Sequence, residues 1–209
     1  MNPTLQYVSN VAWRISTGRR FLLAATALAC FACHAGWHLL YGQPVNLLWA
    51  CHTAALCVGI GLLFAWPMPI AVGGLLLMVG LPSWILSLIY TGDFAPTSIL
   101  THVGGLLCAV LGLRATTYPK NAPMWALALM GLLLLVSRAL STPVENVNVA
   151  YTASAFPYDF SHRPELHMFM VLLVWAVFLL MADPVLRWLA ECSFTFHWPR
   201  RQTSSAVEC

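Results

Sequence analysis

The chain has 209 residues, of which 60% are hydrophobic and 8% charged, with a mean hydropathy of +0.76. Soluble domains carry about one quarter charged residues, so a cytosolic enzyme, a disordered tail and a nucleic-acid-binding domain are excluded and the bilayer is the expected solvent. The formal charge of +3 comes from ten Lys and Arg against seven Asp and Glu along the whole chain, which makes no phosphate-neutralising stripe. Seven cysteines, mostly inside apolar runs, are a poor basis for a disulfide framework and predict free thiols.

A membrane-crossing helix needs about 20 mostly apolar residues, and six such runs occur in order at 21–41, 45–66, 68–90, 96–113, 123–140 and 167–189. Arg19-Arg20 and a run through Cys30 faintly resemble a lipoprotein signal, but the run continues to Tyr41 and reads as an uncleaved first span. Turn chemistry separates the runs at Gly42-Gln43-Pro44, Pro67, Thr91-Gly92-Asp93 and Tyr118-Pro119-Lys120-Asn121-Ala122-Pro123. The runs are too long for barrel strands and do not alternate, so the expected fold is all-α, a polytopic bundle of six transmembrane helices. With the N-terminus inside, Arg14, Arg19, Arg20, Arg114, Lys120, Arg187, Arg200 and Arg201 fall on the cytoplasmic side and only Arg138 and Arg163 outside. Both termini are therefore expected in the cytoplasm, with a bacterial inner membrane as the expected compartment. The organisation is a cytoplasmic segment 1–20, a transmembrane domain 21–190 with a long outer loop 141–166, and a cytoplasmic tail 191–209.

That topology assigns a depth to each polar residue. Cys51 and His102 each lie six residues below an outer end, ~9 Å at the helical rise. His34, His38, Ser83 and Trp84 share the layer, and the polar outer loop with Glu145, Asn146 and Asn148 lies over it. Ionisable groups at membrane depth are costly unless they face the bundle interior, which makes this layer the candidate pocket. Lone histidines in spans commonly bond between helices, which accounts for His38 and His52, and Cys57 and Cys108 read as small apolar residues.

Two constellations remain. A thiol beside an imidazole can become a thiolate nucleophile while the imidazole protonates a leaving alcohol, so Cys51 with His102 suits acyl transfer. His52, Asn148, Trp84 and Ser83 are the candidate substrate-positioning or orienting groups. The second constellation is Cys30, His34 and His38, at i, i+4 and i+8 on the first span. Its three members rise ~12 Å and cannot all reach one ion, so only a neighbouring pair such as His34 and His38 could share a metal.

Trp49-Ala50-Cys51-His52-Thr53, Phe94 with Leu100-Thr101-His102-Val103-Gly104-Gly105, and Glu145-Asn146-Val147-Asn148-Val149-Ala150-Tyr151 together resemble the six-span superfamily of YwaF-like integral membrane proteins. That superfamily includes an ether-phospholipid acyltransferase and, more distantly, the androgen-induced fatty-acid-ester hydrolases. The resemblance covers roughly 21–189, and implies a Cys followed by His in span two acting with a His on span four, at Cys51, His52 and His102. This chain has Trp49-Ala50 where the acyltransferase has Asn-Pro, and the hydrolases use a Thr nucleophile. The leading expectation is thus a lipid acyltransferase or ester hydrolase with no cofactor, whose partners are membrane lipids and a lipid acyl substrate. The alternatives are a haem or copper redox protein using pairs among His34, His38, His52 and His102, and a small transporter or assembly factor.

Overall fold

The computed structural model describes residues 13–91, 95–151 and 162–192, and every regular element among them is helical. Asp93, Phe94, the middle of the outer loop at 152–161, and the tail with His197, Arg200 and Arg201 lie outside the described residues. Helix α1, Thr17–Leu40, starts where the Ser16 hydroxyl accepts the Arg19 N–H at 3.4 Å, and it gives way to a turn at Gly42, whose φ of 67° suits glycine. A short 3-10 turn, Pro44–Leu48, leads into α2, Ala50–Leu63. Helix α3 is Pro67–Thr91. A stretch of π-helix, Leu100–Gly104, runs without a break into α4, Gly105–Arg114. Helix α5 is Ala122–Leu140, a short turn occupies Val147–Val149, and α6 is Pro164–Glu191.

Four of these helices are long and apolar enough to cross a membrane: Thr17–Leu40, Pro67–Ile89, Ala122–Leu140 and Pro164–Glu191. Ala50–Leu63 and Leu100–Arg114 are shorter apolar helices. The expected second span, 45–66, differs most from what forms. Pro44 opens a 3-10 turn, Trp49 is extended at ψ 137°, and at the far end Ala65 takes a left-handed φ of 56°, so only 14 residues between them close into α-helix.

Side chains sort inside out. Leu22, Leu40, Ile89, Phe169, Leu180 and Met181 are exposed, while Leu62, Ile70, Leu75, Leu113, Met130, Leu134 and Leu186 are fully buried. An apolar exterior of this extent suits lipid contact and would be an aggregation hazard in water. Helix α3 sits at the centre, packed on α2, α4, α5 and α6, while α2 is held most extensively between α3 and α1. Small residues permit this: Ala54, Ala55, Val58, Gly59 and Gly61 are buried along α2, and a Cβ on Gly73 of α3 would collide with the Ala54 carbonyl. Where apolar solvent removes the hydrophobic drive, such close backbone approach supplies the packing energy.

The helices run to and fro between two ends. One end gathers His34, Ala50, Thr97, Ser137 and Asn148, and is called the histidine end below. The other joins the Arg14 N–H to the Ala115 carbonyl at 2.7 Å and the Arg114 Nε–H to the Leu189 carbonyl at 2.8 Å, and is called the arginine end.

Candidate functional site

At the histidine end three imidazoles meet. His34 and His38 stand four residues apart on α1, so both project from the same face on successive turns. His52 enters from the first turn of α2. The rings of His34 and His52 stack at a centroid distance of 4.5 Å and an interplanar angle of 11°, with His38 at 4.7 Å from His34 and 5.2 Å from His52. His34 and His52 are buried and His38 is half-buried. Cys30, one turn earlier on α1, does not join them; its sulfur packs where a Cβ on Gly104 would fall.

Each ring has a partner at Nδ1. His34 Nδ1 is 2.9 Å from the Thr97 hydroxyl, His38 Nδ1 is 3.2 Å from Gln43 Oε1 and 3.3 Å from Asn46 Nδ2, and His52 Nδ1 is 3.8 Å from the Cys51 sulfur. The Nε2 of His52 is buried with no hydrogen-bond partner. A buried polar atom left in that state costs about 1–3 kcal/mol.

His102 occupies the facing wall. The π-helical stretch that carries it widens one turn, so that the Gly105 N–H reaches both the Leu100 and Thr101 carbonyls. Such widened turns recur at functional sites. His102 Nδ1 lies 3.0 Å from the Ser98 carbonyl, which can only accept, so Nδ1 carries the proton and Nε2 the lone pair. Its ring stacks on Trp84 at 4.9 Å and 11°, and the Trp84 indole N–H donates to the Ser98 hydroxyl at 3.1 Å. No hydrogen bond links His102 to Cys51; the imidazole that the thiol meets is its neighbour His52.

The other expected site residues have defined places. Ser83 is 3.4 Å from the Val79 carbonyl of its own helix, and lines an apolar groove of about 350 Å³ with Met78, Pro82, Leu86, Phe178 and Met181. Asn148 is fully engaged: its Oδ1 accepts the Ala50 N–H at 2.8 Å, and its Nδ2 donates to the Leu48 carbonyl at 2.7 Å and to the Ser137 hydroxyl at 2.8 Å. It therefore caps α2 from a distant loop, and so sets where Cys51 and His52 begin. Around it the chain bends through left-handed φ values at Asn146, Asn148 and Val149, the last unusual for a β-branched residue. That bend is anchored by the Arg138 guanidinium on the Ala150 carbonyl at 2.8 Å, by the Tyr151 hydroxyl on the Arg138 carbonyl at 2.7 Å, and by His167 Nε2 at 2.9 Å from the Val149 carbonyl.

The sequence reading named His34, His38, His52 and His102 but missed Thr97, Gln43 and Asn46, the groups that hold their rings. The available signal was the depth count, which already placed span one and the start of span two level with one another. Compared with protein-family models, curated proteins and solved structures, the chain matches none. Fold and site together define a class: an all-helical protein with four helices able to cross a membrane and a buried imidazole cluster at one end of the bundle.

Proposed function

We propose that this chain is a six-span membrane enzyme that transfers or hydrolyses the acyl group of a lipid ester, with both termini cytoplasmic and the histidine end beneath the outer leaflet. The observation that supports it is the contact of the Cys51 sulfur with His52 Nδ1 at 3.8 Å, inside a layer that also holds His34, His38 and His102. The reading takes His52, the ring beside the thiol, as the proton acceptor in place of His102. The thiol sulfur attacks the ester carbonyl, its proton passes to His52 Nδ1, and the C–O bond to the alcohol breaks to leave a thioester on Cys51. His52 then gives that proton to the departing alkoxide, and His102, with its lone pair at Nε2, is the second imidazole available to accept a proton. Water or an acceptor hydroxyl then attacks the thioester and regenerates the thiol. An apolar substrate enters between helices directly from the bilayer. The resemblance to YwaF-like proteins carries the same expectation for Cys51, His52 and His102.

The test is a trapped thioester. Full-length protein in lipid nanodiscs is incubated with a phospholipid bearing an alkynyl acyl chain, and the label is mapped by mass spectrometry. A hydroxylamine-labile label on Cys51 is expected, absent in Cys51→Ser and unchanged in Cys57→Ser and Cys108→Ser. Equal labelling of all thiols, or an unlabelled Cys51 in protein that remains folded, overturns the reading.

A further inference from the structure

We infer that His34, His38 and His52 form a binding site for a late first-row transition-metal ion, an inference that goes beyond the thiol chemistry above and does not depend on it. One ring nitrogen from each residue can be chosen so that all three lie within 4.8 Å of one another. A tetrahedral ion with metal–nitrogen distances of about 2.0–2.1 Å holds its nitrogens roughly 3.3 Å apart. Closing a 4.8 Å separation to that value takes about 1.5 Å, and the stacked His34 and His52 rings must turn by side-chain torsion so that both in-plane lone pairs aim at one ion. Two ligands at i and i+4 on α1 and a third from α2 solve the reach problem that defeats three ligands on one straight helix.

The partners at Nδ1 point the same way. Metal-bound histidines characteristically give their second ring N–H to an outer acceptor, which fixes the tautomer and aims the free lone pair. Here Nδ1 is engaged in every ring, by the Thr97 hydroxyl in His34, by Gln43 Oε1 together with Asn46 Nδ2 in His38 and by the Cys51 sulfur in His52, which leaves Nε2 of each ring for the ion. The orphaned Nε2 of His52, on a residue only 1% exposed, is the independent sign that something is to be bound there. Imidazole nitrogens select zinc, copper, nickel or cobalt over magnesium and calcium, which want oxygen. Rings that stack directly on one another at 4.5 Å leave no slot for a macrocycle between them, so a bare ion fits and haem does not. Three protein ligands leave a fourth position open, the arrangement of a reactive centre instead of a closed structural one. With the ion on Nε2, His52 keeps its proton at Nδ1, so metal occupancy and deprotonation of the thiol by this ring exclude one another.

The experiment uses the full chain, purified in detergent without a polyhistidine tag, stripped with chelator and titrated with Co²⁺. One Co²⁺ per chain with the visible absorption of a tetrahedral site is expected. His34→Ala, His38→Ala and His52→Ala should each weaken binding by about 100-fold or more, and Thr97→Val by about 10-fold, whereas His162→Ala should leave it unchanged. His38→Cys should retain one Co²⁺ per chain and add a sulfur-to-cobalt charge-transfer band that the parent chain and His38→Ala lack. Absence of stoichiometric binding in the parent chain, or full-strength binding in all three alanine variants, overturns the site. Cys51→Ser is expected to keep Co²⁺ at parental affinity, so loss of the thioester and loss of the metal are read separately.

Discussion

The two ends of the bundle both bury polar groups, but they do so in opposite ways. At the arginine end the Tyr118 hydroxyl donates to Asp183 Oδ1 at 2.7 Å, Arg187 pairs with Asp183 Oδ2 at 2.9 Å, and the Arg187 guanidinium lies 4.7 Å from the centre of the Tyr118 ring. These three groups satisfy one another, although the Trp13 indole N–H and the Thr116 hydroxyl at the same end are buried without a hydrogen-bond partner. At the histidine end imidazole rings crowd one another, the buried Nε2 of His52 has no partner, and the supporting loop is held in left-handed backbone. A network whose groups are satisfied stabilises the fold, whereas a cluster kept together against its own interest points to a ligand.

Substitutions can break or sharpen that contrast. The largest effect is expected from Asn148→Ala, which strands the Ala50 N–H, the Leu48 carbonyl and the Ser137 hydroxyl. A loss of about 3 kcal/mol is expected, read as a lower midpoint of denaturant unfolding in detergent. An unchanged midpoint would mean that the loop carrying Asn148 does not hold α2. Asp183→Ala comes next, at about 1–2 kcal/mol by the same measurement, reduced because the Arg187 side chain is partly exposed. His52→Leu should move the other way: it removes the orphaned nitrogen, so the metal-free protein is expected to be as stable as the parent or about 1 kcal/mol more so. Marked destabilisation by His52→Leu would place His52 among the structural groups and erase the difference between the ends.

The smallest effect is one of pH. Burial, reinforced by the hydrogen bond to Asp183, raises the Tyr118 phenol above its ordinary value. A group whose folded value is raised holds its proton longer in the folded state. Its contribution is therefore complete below about 10, the unfolded value, and is lost as pH climbs toward the raised folded value. Tyr118→Phe should flatten that alkaline decline in the unfolding midpoint, and an identical decline in both proteins would assign it elsewhere.

Composition and run length made the helical, apolar character legible, because about 20 uninterrupted apolar residues have few other fates. The ends of the elements were less so. Nothing in the apolar run from Val45 announces that Pro44 and Trp49 delay the helix to Ala50, because hydropathy carries no backbone angles. At the site, counting depth along the spans placed His34, His38, Cys51 and His102 in one layer. It could not say which faces met, and so Cys51 was matched with His102 where the contact is with His52. Helix rotation depends on close approaches such as Gly73 against Ala54, which are made across chain segments and leave no periodic trace. The sequence makes Asn148 a candidate orienting group; its role as a cap comes from a bond spanning 98 positions.

The brevity of α2 has a consequence for the site. Fourteen residues reach about 21 Å, against roughly 30 Å of hydrocarbon, while the neighbouring α1 and α3 have 24 and 25 residues. Set among longer neighbours, a helix so abbreviated is continued at the histidine end by the 3-10 turn Pro44–Leu48 and the capping Asn148, not by further turns of its own. His52 lies in the first turn of α2 and is only 1% exposed, so its ring is set by irregular chain that can change without shortening or lengthening a helix.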